Sequence, residues 1–320
     1  MSALGIAAAL LVAGAVVTQI GKILIERLHP PRGRFVDVGG LRQHVVDFGA
    51  PAAAPEPAIV LVHGAACNVE DMRPLGERLA KRHRVVLVDR PGLGWSERGG
   101  PDGNSPAYQA AILRGVLDQI AVDRAIVVGH SWGGAVAAAF ALDHPQRTAG
   151  LVVIASPAYP LLRRMTWFYM AAATPYAGWL FAQTLALPFG ALLIDLGLRS
   201  AFFPQKPPRG YLRRFGPMLM LRPAPFLANA RDIGGLKSFL KQQAPRYGTL
   251  AVPTAVITGD RDLVVTPRHH AVPFAAAVPG ARLEVWPGFG HMLHHAAADR
   301  IAAVIEDIAA APASAERAKP

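Results

Sequence analysis

Five short, almost unbroken apolar runs constrain this chain most: Ala58 to Val62, Arg84 to Asp89, Ala125 to Gly129, Leu151 to Ala155 and Thr254 to Thr258. A strand buried on both faces reads as a continuous hydrophobic run, whereas a half-exposed strand alternates. Helix-period stretches separate the runs at Asp71 to Arg82, Pro106 to Val122 and Trp132 to Asp143. In the second of these, Ala110, Leu113, Val116, Leu117 and Ile120 form one apolar stripe. Strands alternating with helices predict an α/β fold, with a mostly parallel sheet covered on both faces. A further run at Arg282 to Val285 extends that sheet, and Arg34 to Val38 with Leu41 to Asp47 reads as a hairpin turning at Gly39-Gly40. With 320 residues, 52% of them apolar and 17% charged, the chain can bury a large core and is not disordered. A lone cysteine, Cys67, excludes a disulfide scaffold and a zinc site built on Cys pairs.

Between residues 157 and 248 the strand pattern stops. Leu, Phe, Met, Pro and Arg dominate there, and Thr174-Pro175, Leu187-Pro188 and Pro207-Pro208 break what reads as a series of helices. This predicts a helical cap (157–248) inserted between two core strands. The core then comprises 29–156 and 249–312, followed by a short tail (313–320). Trp167, Phe168, Tyr169, Met170, Trp179, Leu180 and Phe181 make the front of the cap apolar, which suits a hydrophobic ester or lipid substrate.

Met1 to Gly21 carry no charged side chain. About 20 apolar residues in a helix suffice to cross a bilayer core. No positive region precedes this stretch as it would in a signal peptide; Lys22, Arg27, Arg32 and Arg34 follow it instead. Residues 1–28 are therefore expected to form a membrane anchor, with the soluble part on the cytoplasmic side.

The chemistry centres on Gly129-His130-Ser131-Trp132-Gly133, a G-x-S-x-G pattern with a buried strand before it and an apolar helix after it. Such a turn lifts Ser131 off the strand end and points the N–H groups of the next helix at it. Serine needs a base to take its proton. In this arrangement the partners follow in the order Ser, acid, His. Thr258-Gly259-Asp260-Arg261-Asp262 offers two acids, and Gly288-Phe289-Gly290-His291 a histidine on a glycine-flanked loop. His294 and His295 read as surface or packing residues, and Cys67 as a small buried hydrophobe rather than a nucleophile. Neither the His269-His270 pair nor His294-His295 has a partner at ligand spacing, so no metal and no cofactor are expected.

At these residues the chain resembles the α/β-hydrolase family. Gly259-Asp260-Arg261-Asp262-Leu263-Val264-Val265 is similar to the family's acid loop, which implies Asp262 as the acid; Asp260 would instead cap the turn or pair with Arg261. The family places its histidine after a G-x-G, which implies His291. Val62-His63-Gly64-Ala65-Ala66 resembles the H-G-x segment, implying an oxyanion hole formed by the N–H groups of Ala65 and Trp132. Asp89-Arg90-Pro91-Gly92-Leu93-Gly94-Trp95-Ser96 is similar to a loop shared by epoxide hydrolases, haloalkane dehalogenases and capped esterases. The first two carry an aspartate nucleophile at the elbow, and Ser131 argues against their chemistry. The resemblance implies an α/β-hydrolase fold and a capped serine esterase or lipase-like enzyme acting through an acyl-enzyme. C–C bond hydrolysis, perhydrolysis and a non-catalytic homologue share the same motifs.

Charge refines the list of partners. Of the net +11, most sits in the cap: residues 160–248 hold twelve Lys plus Arg against only Asp195 and Asp232. A basic, aromatic insert without a recognition element speaks against nucleic acid and for a membrane surface.

Overall fold

The computed structural model describes residues 2–49, 56–160, 172 and 174–311. Eight strands form one sheet: β1 (Arg34–Val38), β2 (Leu41–Gly49), β3 (Ala58–Val62), β4 (Arg84–Val88), β5 (Ala125–His130), β6 (Thr148–Ile154), β7 (Thr254–Gly259) and β8 (Arg282–Trp286). Their order is β1-β2-β4-β3-β5-β6-β7-β8. The hairpin pairs antiparallel with itself and with β4, and every other pairing is parallel. Successive side chains of a strand point to opposite faces. Val60 of β3 accordingly packs with Leu113, Val116 and Phe140, while Ile59 and Leu61 pack on the other face with Met72, Leu75 and Ile305. This is the mostly parallel α/β sheet, covered on both faces, expected from the run pattern.

Four helices fix positions used below: α1 (Ala3–Leu28), α2 (Val69–Leu79), α3 (Pro106–Gln119) and α4 (Trp132–Asp143). Three of these boundaries differ from the sequence expectation: α2 ends at Leu79, three residues before the expected Arg82, and the other two differ for local reasons. Helix α2 starts two residues early because the Asn68 side chain accepts from the Glu70 N–H at 2.9 Å, capping the first turn. Helix α3 stops at Gln119 because Ala121 takes a left-handed φ of 53° soon afterwards. Between β6 and β7 lie helices Pro175–Thr184, Ala186–Phe202 and Pro223–Gln243, joined by shorter turns. The residues 167–170 assigned to the front of the cap, and the tail from 313, fall outside the described residues.

Candidate active site

Ligands in open parallel sheets bind beyond the carboxyl ends of the strands, where the strand order reverses. The reversal here lies between β3 and β5, and the residues singled out above follow the ends of β3, β5, β7 and β8. Ser131 joins β5 to α4 with φ 50° and ψ −125°, a strained conformation for a residue with a side chain. Its N–H bonds the Ile154 carbonyl at 2.8 Å, which holds the turn against β6. The turn leaves no space for flanking side chains. A Cβ on Gly129 would sit 2.2 Å from the Gly133 carbonyl oxygen, and one on Gly133 would sit 2.4 Å from that of Val62.

The structure brings three of the expected residues into one line. His291 Nε2 lies 3.0 Å from Ser131 Oγ, and His291 Nδ1 lies 2.9 Å from Asp262 Oδ2. Asp262 is buried, and its other oxygen accepts the N–H groups of Val264 and Val265 at 2.8 Å each. Asp260 faces away from this line and accepts the Gly288 N–H at 2.7 Å, bracing the loop that carries His291. Of the two acids left open by the sequence, Asp262 touches the histidine and Asp260 caps the turn.

The β3 end approaches from the other side. A Cβ on Gly64 would lie 3.1 Å from Ser131 Cβ, so the chain entering Ala65 runs beside the serine. Trp132 is the first residue of α4, where backbone N–H groups have no partner within the helix.

Arg90 holds this loop in place. Its buried guanidinium donates to the carbonyls of His63 (3.0 Å) and Gly64 (3.2 Å), to Gln109 Oε1 (2.9 Å) and to Asp232 Oδ2 (2.7 Å). It also stacks over the Trp132 ring at 4.2 Å. Asp232, from helix Pro223–Gln243, further accepts from Arg98 at 2.9 Å, and its carbonyl accepts the Trp132 indole N–H at 3.2 Å. Two positions on that helix side therefore meet the core, because Asn229 Oδ1 accepts the Ala66 N–H at 2.8 Å as well. None of the sequence motifs included Asp232 or Asn229.

His63 is held neutral by its contacts. Its Nε2 accepts the Arg90 N–H at 3.0 Å, and Nδ1 meets the Gly64 carbonyl at 2.9 Å. Burial, with the Arg90 guanidinium adding to it, pushes His63 down to about 4. An unfolded imidazole takes up its proton near 6.5. Between those values the unfolded chain binds the extra proton, so His63 contributes full stability above about pH 6.5 and progressively less as pH falls toward 4. The urea midpoint is expected to drop steadily across that window; a midpoint constant from pH 6.5 to 4 would contradict a neutral native His63.

Behind His291 lies a second cluster. His294 Nε2 and His295 Nε2 reach the two oxygens of Asp71 at 3.0 and 2.8 Å, and Tyr211 donates to Asp71 Oδ1 at 2.6 Å. The three Asp71, His294 and His295 ligand atoms lie within 4.8 Å of one another, close enough for a metal ion to bridge. The sequence expectation that His294-His295 lacks a partner is corrected here: Asp71 supplies it from 223 residues away. The charges and hydrogen bonds of His294 and His295 hold the buried Asp71 carboxyl well below the usual range despite its burial. Cys67 is half-buried, and its thiol is pushed up by desolvation and by Asp71, which suits a packing role rather than a nucleophile.

A cavity of about 710 Å³ opens between the C-terminal end of helix Ala186–Phe202 and Tyr211, with Arg199, Phe203, Gln205 and Lys206 among its walls. Ser131 and His291 do not line it, yet it adjoins the His291 loop. Gln205 donates to the Gly288 carbonyl at 2.8 Å and accepts the Gly290 N–H at 3.0 Å.

Comparison with known proteins identifies the family. Residues 57–298 match the model of a family described as alpha/beta hydrolase fold. A 2-hydroxymuconate semialdehyde hydrolase from Pseudomonas sp. (strain CF600) is 28% identical, over 88% of this chain and 95% of its own. Haloalkane dehalogenase 2 of Mycobacterium tuberculosis is also 28% identical, over 87% of this chain and 95% of its own. Among solved structures, a bacterial membrane phospholipase A superposes with a TM-score of 0.66 at 20% identity, covering 96% of both chains.

Proposed function

Because this chain belongs to the alpha/beta hydrolase fold family, whose relatives above are hydrolytic enzymes, we propose that it is a serine hydrolase cleaving a hydrophobic carboxylic ester. The observation that carries this reading is the unbroken hydrogen-bonded line Asp262–His291–Ser131 at the strand ends. In the proposed reaction Ser131 Oγ attacks the ester carbonyl while His291 Nε2 takes the hydroxyl proton. The oxyanion so formed is received by the N–H groups of Ala65 and Trp132. Collapse breaks the C–O bond, and the alcohol leaves with the proton from His291. Water then attacks the acyl-serine, again giving its proton to His291, and the carboxylic acid departs as Ser131 is reprotonated. Asp262 fixes the imidazole tautomer and stabilises the imidazolium.

Serine at the elbow separates this chain from the chemistry named for its dehalogenase relative. A carboxylate nucleophile displacing halide yields an ester that water can open, whereas serine would yield an inert ether. C–C bond hydrolysis is the second reading, favoured by the likeness to a semialdehyde hydrolase. A panel of p-nitrophenyl esters of increasing acyl length, run beside a ring-fission diketone, decides between them. Turnover of the esters, rising with acyl length, is expected; turnover of the diketone alone would give the second reading.

The helices between β6 and β7 are read as a cap over this site, and α1 as its membrane anchor with the catalytic part on the cytoplasmic side. Among the described residues α1 is the single unbroken helix long and apolar enough to cross a membrane. Basic residues Lys22, Arg27, Arg32 and Arg34 follow the apolar stretch, which supports this orientation. The full-length chain is expected to stay with membranes through an alkaline carbonate wash. Its catalytic part should be degraded by protease in inverted vesicles but not in intact spheroplasts. Release by carbonate would remove the anchor, and the reverse protease pattern would reverse the orientation.

A further inference from the structure

Helix Ala186–Phe202 turns an apolar stripe outward. Phe189, Leu192, Leu193 and Leu196 fall at i, i+3, i+4 and i+7, the spacing of a single helix face. In a soluble protein that face would be buried; here Leu192 is 79% and Leu196 68% exposed. The preceding helix Pro175–Thr184, bent from it by 73°, adds exposed Tyr176, Trp179 and Leu180. Over these 28 residues the only charged side chains are Asp195 and Arg199.

Helix α1 lies against the same pair. A Cβ on Gly14 would sit 2.5 Å from the Thr184 carbonyl oxygen, so the two backbones touch, and Gly21 faces the Leu187 side chain. Gln19 donates to Gln183 at 3.2 Å. Farther along, Glu26 pairs with Arg222 at 3.1 Å, and the His29 carbonyl accepts the Trp95 indole N–H at 3.2 Å. Arg222 also donates to the Gly94 carbonyl and stacks over Trp95 at 4.6 Å. The helix is thus clamped to the core at one end and to the helical pair along its side, while Leu10, Val12, Val16, Val17, Ile20 and Leu24 still face outward.

We propose that the stripe on helix Ala186–Phe202 is immersed in the lipid bilayer, so that α1 and the helical pair enter the membrane as one wedge. The proposal rests on α1 being a membrane anchor and deepens that reading: the catalytic unit is set into the lipid rather than tethered above it. Acyl chains are the occupant that three observations favour. The stripe is continuous with α1 through the Gly14 and Gly21 contacts. It carries no charge between Phe189 and Leu193. Beyond Phe202 the chain turns basic, with Lys206, Arg209, Arg213 and Arg214 preceding any acidic residue, as suits anionic headgroups.

The test uses the full-length chain reconstituted into phosphatidylcholine–phosphatidylglycerol vesicles, with an environment-sensitive fluorophore on single introduced cysteines. Unsubstituted protein gives the background from Cys67. Leu10→Cys reports the anchor, Leu193→Cys the stripe, and Lys81→Cys the exposed turn that follows α2. Each probe is challenged with aqueous iodide and with lipids bearing a nitroxide on the acyl chain. The proposal expects the Leu10 and Leu193 probes to be quenched by the nitroxide lipid and shielded from iodide, and the Lys81 probe to behave oppositely. Iodide access at 193 with lipid quenching at 10 would overturn the wedge and leave the anchor standing. A 193 probe shielded from both quenchers, with 193-to-193 disulfide formation between chains, would assign the stripe to a second copy and also overturn it. Lipid quenching at neither position would remove the anchor and the wedge together.

Discussion

Replacing Ser131 with alanine is expected to lower kcat on p-nitrophenyl esters by about 10⁴- to 10⁶-fold, the range seen when single members of a catalytic triad are removed. The loss is chemical rather than structural. Among the described residues Ser131 Oγ has one hydrogen-bond partner, His291 Nε2, and its backbone N–H keeps the Ile154 carbonyl whatever the side chain. The variant should therefore unfold at the same urea concentration as the parent and bind substrate with a similar KM. His291→Ala is expected to fall to a comparable rate, and the double variant scarcely lower, because the two groups perform one proton transfer together. A fluorophosphonate should label the parent and neither Ser131→Ala protein. Parent-like turnover by Ser131→Ala would remove the proposed mechanism altogether.

The largest stability effect is expected at Asp232. Its carboxylate neutralises Arg90, which is buried with every guanidinium nitrogen committed, and it also holds Arg98. Asp232→Ala leaves that charge buried without its counterion, and breaking a buried pair from one side costs about 3–5 kcal/mol. Replacing Arg90 and Asp232 together with methionine and leucine removes both charges and should cost far less. Because Arg90 also bonds the carbonyls of His63 and Gly64, Asp232→Ala should lower kcat more than it raises KM. Urea unfolding of the single and paired variants, with kinetics at a temperature where each is folded, measures both effects. A single variant as stable as the paired one would show that the charge finds another partner.

Some of this site is legible in the sequence because each part announces itself locally. Ser131 sits in a pattern whose glycines have no alternative, and His291 stands on a loop that no strand or helix could absorb. The choice between Asp260 and Asp262 is different in kind. Both are acids two residues apart at a strand end, and motif likeness favours one, whereas the distances give each its partner: Gly288 for Asp260 and His291 for Asp262. Contacts between remote segments leave no such trace. Asp71 meets His294 and His295 across more than two hundred residues, and nothing in the spacing of the histidines points to it. Asp232 did carry a signal. It is one of two acids in a stretch otherwise strongly basic, and an acid in such surroundings has a cation to meet. Which cation it meets depends on the third dimension, because Arg90 lies 142 residues earlier. The outward stripe of helix Ala186–Phe202 was legible as apolarity but not as exposure, since the same leucines would serve equally well in a core.

The seam along α1 has a consequence in time as well as in space. Helix α1 is synthesised first, but its contacts are with Trp95, Thr184, Leu187 and Arg222. The Glu26–Arg222 pair closes over a separation of 196 residues. At ribosomal speeds of roughly 5–20 residues per second, about 10 to 40 s pass between the two ends of that contact. Throughout this interval α1 is an apolar helix without its protein partners, and lipid is the solvent that suits it. With α1 as the proposed anchor, the membrane would receive the start of the chain before the sheet exists, and the hydrolase would complete its fold already moored to a lipid surface.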